Sequence, residues 1–141
     1  MYSTRLRNDR YLVDCLAVSG NVAIEKFIVD TGAKYTCCNY CTIDGALRED
    51  QIFDGEIKYI GGLVKGEIVK FYKYPLRQFT IGNIDMKEQH IWITFDDRVT
   101  DIILGMDILK QVIVIMNPYN QRIYFCKDSE DFQKNFELKA S

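Results

Sequence analysis

The stretch Phe27-Ile28-Val29-Asp30-Thr31-Gly32-Ala33-Lys34-Tyr35-Thr36-Cys37-Cys38 drives a short apolar run straight into a carboxylate, a hydroxyl and a glycine. An aspartate at the end of a core strand is costly unless it has partners. Either a surface turn follows the strand, or the carboxylate is placed for chemistry. A glycine after the acid lets backbone N–H groups come close to it, because no side chain intervenes. A threonine hydroxyl can both donate and accept a hydrogen bond.

One carboxylate alone is a poor peptide hydrolase. Activating water and protonating the carbonyl or the leaving amine need a base and an acid together. Two carboxylates side by side cannot both ionise, so they share a proton and fill both roles. The sequence holds a single Asp-Thr/Ser-Gly, at 30–32. The second acid must come from elsewhere in the chain or from a second copy of it across a two-fold axis.

Outward from this stretch the chain reads as β. Strand patterns fall at 11–18, 22–29, 57–60, 67–74, 76–81, 84–86, 90–95, 102–104, 112–116 and 121–126. Between them stand turn signals such as Ser19-Gly20-Asn21, Gly82-Asn83 and Asn117-Pro118-Tyr119-Asn120. Short strands at such spacing predict an all-β sandwich or small barrel. One short helix is expected within 42–53, a turn or two at 106–111, and a capped amphipathic helix from Asp128, with Phe132, Phe136 and Leu138 on one side. The 141 residues fit one domain, 10–126, with an N-terminal arm at 1–9 and a helical tail at 127–141.

The net charge of −2 argues against a nucleic-acid partner. Arg5, Arg7 and Arg10 are too few to read as more than a solvated arm. No apolar run approaches a membrane span, and the first ten residues lack the apolar core of a signal peptide. A cytoplasmic, reducing setting is expected, in keeping with the odd count of five cysteines. The cluster Cys37-Cys38-Asn39-Tyr40-Cys41 invites a zinc reading. Adjacent cysteines are poor co-ligands, no second pair follows, and His90 is the only histidine. Small buried thiols are expected instead, with no metal and no cofactor.

A second motif decides how the first is read. Ile102-Ile103-Leu104-Gly105-Met106-Asp107-Ile108-Leu109 echoes it in the second half of the chain, and glycines at 61, 62 and 66 lie between the two. In order and spacing, over about residues 10 to 126, the sequence resembles the retropepsins, the single-domain aspartic proteases of retroviruses and their cellular and bacterial relatives. The resemblance implies an all-β fold closed as a small barrel, a homodimer, and hydrolysis of peptide or protein substrates. It implies that Asp30 is catalytic, that Thr31 bonds across the dimer axis, and that Gly32, Ala33 and Thr36 support the loop. Gly61, Gly62, Leu63 and Val64 would belong to a flap over the substrate, and Ile103, Leu104 and Gly105 would pack behind the catalytic loop. Read from the residues alone, Asp107 caps the helix beside it. The alternative is a dimerisation or peptide-binding module on the same fold that does not cut.

Overall fold

The computed structural model describes residues 1–19, 22–43 and 55–137. Its strands are β1 (Tyr2–Arg7), β2 (Arg10–Ser19), β3 (Val22–Val29), β4 (Cys37–Asn39), β5 (Ile57–Val64), β6 (Glu67–Leu76), β7 (Gln78–Ile81), β8 (Ile84–Asp85), β9 (Gln89–Thr94), β10 (Ile103–Leu104), β11 (Ile113–Asn117) and β12 (Arg122–Cys126). Among the described residues three short helices accompany them: α1 (Tyr40–Ile43), α2 (Met106–Leu109) and α3 (Ser129–Phe132), the last running into a π-helical turn (Gln133–Glu137). Asp128 caps α3, its side chain accepting from the Asp131 N–H. The Gly20-Asn21 turn, most of the helix expected within 42–53, and Leu138 lie outside the described residues.

The pairing runs β11-β12-β1-β2-β3-β10-β4-β9-β6-β5, with β7 joined to β2 and β8. This is an all-β fold, but the path is open at β11 and β5 among the described residues, so strand pairing does not close the expected barrel. The arm expected at 1–9 is also corrected. β1 lies between β12 and β2, pairing Tyr2 with Phe125 and Leu6 with Tyr11. Asn8 and Asp9 form the two-residue loop into β2 with φ of 51° and 62°. Such a loop follows the twist of a hairpin, and Asn and Asp tolerate the left-handed backbone it needs.

The central strands explain why their sequence reads as continuous apolar runs rather than a simple alternation. Both faces are buried, so successive residues feed two different cores. Cys37 pairs with Ile103 and with Trp92, and all three join one cluster with Val69, Phe71 and Val99. Cys38 pairs with Ile93, and both join the main cluster with Leu104, Phe27 and Phe79. Phe27 and Phe79 meet edge to face there, 5.7 Å apart.

β10 is the keystone of this arrangement. It runs parallel to β3, Ile103 beside Ile28 and Leu104 beside Val29, and antiparallel to β4. The chain beyond β3 thus leaves the sheet at Asp30 and re-enters at β4 on the other side of β10. The loop so formed is fastened to the first turn of α2. Met106 and Asp107 donate their backbone N–H groups to the carbonyls of Ala33 and Lys34, at 2.8 and 3.0 Å. Thr36, fully buried, donates its hydroxyl to Asp107 Oδ1 at 2.7 Å and accepts from the Gly105 N–H at 3.0 Å. Asp107 Oδ1 also accepts from the Thr36 N–H and the Ile108 N–H, both at 2.9 Å. Asp107 is therefore not the helix cap expected from the sequence. The cap position is Gly105, which has no side chain to offer, and Asp107 instead ties α2 to the loop.

Gly105 admits no side chain. A Cβ there would stand 2.5 Å from both the carbonyl carbon and the oxygen of Tyr35. Gly105→Ala is expected to destabilise the fold by about 1–3 kcal/mol through overpacking. Thr36→Val strands the Gly105 N–H and removes a donor from Asp107, for a loss of about 1–3 kcal/mol, while Thr36→Ser restores most of it. Urea denaturation midpoints at constant m-value measure all three.

Candidate active site

Asp30 stands where β3 gives way to this clamped loop. Its N–H donates to the Leu104 carbonyl at 3.1 Å, which continues the β3–β10 ladder to its last rung. Its carbonyl accepts from the Ala33 N–H at 3.2 Å and folds the loop back on itself. Its Oδ1 accepts from the Gly32 N–H at 2.9 Å. A Cβ at position 32 would lie 3.3 Å from that same oxygen, so Gly32 leaves the carboxylate room. The side chain is half-buried and opens onto a cavity.

The opposite wall of the cavity is the hairpin of β5 and β6. Its turn is Lys65-Gly66, with Gly66 at φ 74°. The pairing slips between Gly61 and Val64, and Gly62, at φ 93°, supplies the left-handed residue that this bulge needs. The hairpin's inner side packs Ile60, Leu63 and Val64 against the smaller core cluster. Near its tip Glu67 meets the Arg98 guanidinium at 2.5 Å, and Arg98 also holds Asp96 at 2.6 Å. Arg98 holds the Asp96 carboxyl down at about 2.

Between loop and hairpin lies a cavity of about 470 Å³, lined on the loop side by Asp30, Gly32, Ala33, Lys34 and Tyr35. Tyr59, Ile60, Gly61, Gly62 and Leu63 line the hairpin side. Asp30 is the one carboxylate lining it among the described residues. Tyr35 is braced from behind by Trp92, edge to face at 5.7 Å, with the Lys58 ammonium over both rings at 5.0 and 5.3 Å.

The structure thus brings Asp30, Gly32, Ala33, Gly61, Gly62 and Leu63 to one cavity. Val64 lies beside it in the core, and Ile103, Leu104, Gly105 and Thr36 stand behind the loop. Thr31 points elsewhere. It is exposed and joins Met106, Leu109, Val112, Val114 and Met116, with Lys110, around a separate, largely apolar groove of about 420 Å³. Lys34, Tyr35, Tyr59 and Ile60 also line the cavity. Tyr59 and Ile60 were not singled out from the sequence; the signal that could have found them is their place on the hairpin before Gly61.

The cysteines do not form a centre. Cys37 and Cys38 are neighbours in a strand and face opposite cores, and Cys41 is exposed. Burial, then the charges of Asp107, Asp30 and Asp101, pushes the Cys37 thiol up to about 12. Burial likewise raises Cys38 and Cys15, so these groups stay protonated and inert at neutral pH. Among the described residues no three His, Cys, Asp or Glu side chains stand together as metal ligands. No described helix is long and apolar enough to cross a membrane.

The comparisons with known proteins agree with this geometry. A family model described as aspartyl protease matches residues 16–108, from within β2 through Asp30 to the first turn of α2. Among solved structures, the chain is similar to a retropepsin-like aspartic protease from Rickettsia conorii, with a TM-score of 0.61 and 20% identity over 88% of each chain. No curated protein matches. That structural likeness supports the fold, and the family model takes in both motifs that the Thr36–Asp107 contact joins, so the chain belongs to the retropepsin-like aspartyl protease family.

Proposed function

We propose that the protein is an aspartic endopeptidase active as a homodimer, in which the two copies of Asp30 hold one water between them. The observation that carries this reading is Asp30 itself. It is half-buried, bonded by the Gly32 N–H, and faces a covered cavity in which no other described carboxylate stands. A second copy supplies the missing acid. One carboxylate takes a proton from the water as it attacks the scissile carbonyl, and the other donates to the carbonyl oxygen. The substrate lies extended between loop and hairpin, its backbone pairing with the strand edges beside it. The hairpin covers it and limits the entry of water.

The groove beyond Thr31 supports the dimer. It lies on the same loop as Asp30, and its apolar lining includes Met106 and Met116, which are 38% and 43% exposed. Seating a second copy there covers these side chains and brings the two loops together. Among the described residues β11 offers an unpaired edge beside the groove, since it ends the strand path. Its Val114 and Met116 line the groove. A binding module without chemistry would leave the Asp30–Gly32 arrangement without a role.

Asp30→Asn is expected to abolish peptide cleavage while leaving the fold and the dimer intact. Mixing it with wild-type protein in equal amounts separates the dimer from a monomer. Random pairing leaves only about a quarter of the dimers with both acids, so activity falls to about a quarter instead of half. Met116→Lys, which adds a second positive charge to the groove beside Lys110 and removes an apolar side chain, is expected to shift the protein to monomers in sedimentation velocity runs and to lower activity in proportion. Cleavage by a species that stays monomeric at every concentration overturns the reading.

A further inference from the structure

Two charged side chains line the cavity among the described residues, and the proposed chemistry uses only one of them. Asp30 is the acid; the other is Lys34. Its side chain is exposed and makes no ion pair or hydrogen bond with any described residue. Its backbone is nevertheless among the best fixed in the loop. The Lys34 carbonyl accepts from Asp107 N–H at 3.0 Å, and the preceding Ala33 carbonyl accepts from Met106 N–H at 2.8 Å. The base of the side chain is thus held at a set place relative to Asp30, while its ammonium is free to meet a ligand.

The surroundings favour an anion there. The other lining groups are neutral: Tyr35, Cys37, Tyr59, Ile60 and Leu63 with four small residues. Lys58, over the Tyr35 ring, adds charge of the same sign. Asp107, whose N–H bonds the Lys34 carbonyl, has Oδ1 occupied by three donors from Thr36 and Ile108. An unpaired cation on a fixed backbone at the edge of a neutral, partly aromatic cavity discriminates by charge.

We propose that Lys34 is a specificity-determining residue that selects peptide substrates with a glutamate or aspartate close to the scissile bond. The proposal rests on the endopeptidase reading. Lys34 lies four positions beyond Asp30 in a loop that folds back on itself through the Ala33–Asp30 hydrogen bond. An extended peptide advances about 3.3 Å per residue, so the acid falls within about two residues of the cleaved bond. The apolar lining from Tyr59, Ile60 and Leu63 takes the substrate's apolar side chains, and the lysine takes its carboxylate.

The test uses short peptides with an apolar pair at the cleavage point, matched in all but one position near it, which is Glu, Gln or Lys. Binding is read by fluorescence anisotropy on full-length Asp30→Asn protein, and cleavage on the protein with Asp30 intact. The Glu peptide is expected to bind on the order of fivefold tighter than the Gln peptide, the upper range for a partly exposed ion pair, with the difference shrinking at high salt. Adding Lys34→Met erases the difference, and adding Lys34→Glu reverses it in favour of the Lys peptide. In cleavage the same ratios appear in KM more than in kcat. Equal binding of Glu and Gln peptides, an unchanged ratio in Lys34→Glu, or no binding of either peptide overturns the assignment of Lys34. Charge-selective binding with no cleavage of any peptide keeps that assignment and instead overturns the endopeptidase reading.

Discussion

The carboxylate of Asp107 holds two halves of the molecule in register. Its Oδ1 receives the hydroxyl and the N–H of Thr36, while the Thr36 hydroxyl in turn receives the Gly105 N–H. These are charge-assisted contacts at a fully buried hydroxyl, the kind whose loss leaves polar groups unpaired. They close only because Gly105 lacks a Cβ and lets Tyr35 and Thr36 approach its backbone. The position of Asp30 follows from this contact. The loop that carries it is bound at its start by the Leu104 carbonyl and at its end by α2. A shift of the second half would carry the carboxylate with it.

The same constraint accounts for the two-faced strands. β10 and β4 are only two and three residues long, too short to hold a register by backbone bonds alone. Their register is instead fixed by which core each residue enters. Ile103 and Cys37 enter the smaller cluster beneath the hairpin, and Leu104 and Cys38 enter the larger one. A slip of one residue would exchange these faces, which the differing sizes and partners of the two clusters oppose. The small thiols of Cys37 and Cys38 fit here as compact apolar groups, and burial keeps them protonated.

Much of this was legible in the sequence, for identifiable reasons. Strand positions followed from apolar runs and turn chemistry, and the paired motifs at 27–33 and 102–109 located the loop and its support. Asp30, Gly32 and the hairpin glycines 61 and 62 do line one cavity. β1 was not legible, because its hairpin loop is Asn8-Asp9 without a glycine and the nearby arginines gave it the look of a solvated arm. Barrel closure was carried over from the resemblance, and pattern alone cannot say whether the last strand of a path finds the first. The role of Asp107 was missed because an acid in the first turn of a helix reads as a local cap. Its actual partner, Thr36, is 71 residues away in the chain and becomes visible only once β10 lies between β3 and β4.

The geometry of Thr31 ties the cavity to the question of assembly. Asp30 and Thr31 are successive residues, yet one faces the covered cavity and the other an apolar groove on the outside. A loop that turned only to serve a monomeric site would have no reason to present a hydroxyl beside exposed methionines. A groove that served only to bind an unrelated partner would have no reason to border the loop bearing the carboxylate. Both features make sense together if what covers the groove also completes the cavity. In the proposed homodimer a second copy of the chain would do this without any further component, because two-fold symmetry places loop beside loop whenever it places groove beside groove. In the proposed homodimer this surface couples association to chemistry: covering the groove buries Met106 and Met116, and the half-buried Asp30 of each chain gains the neighbour with which it can share a proton.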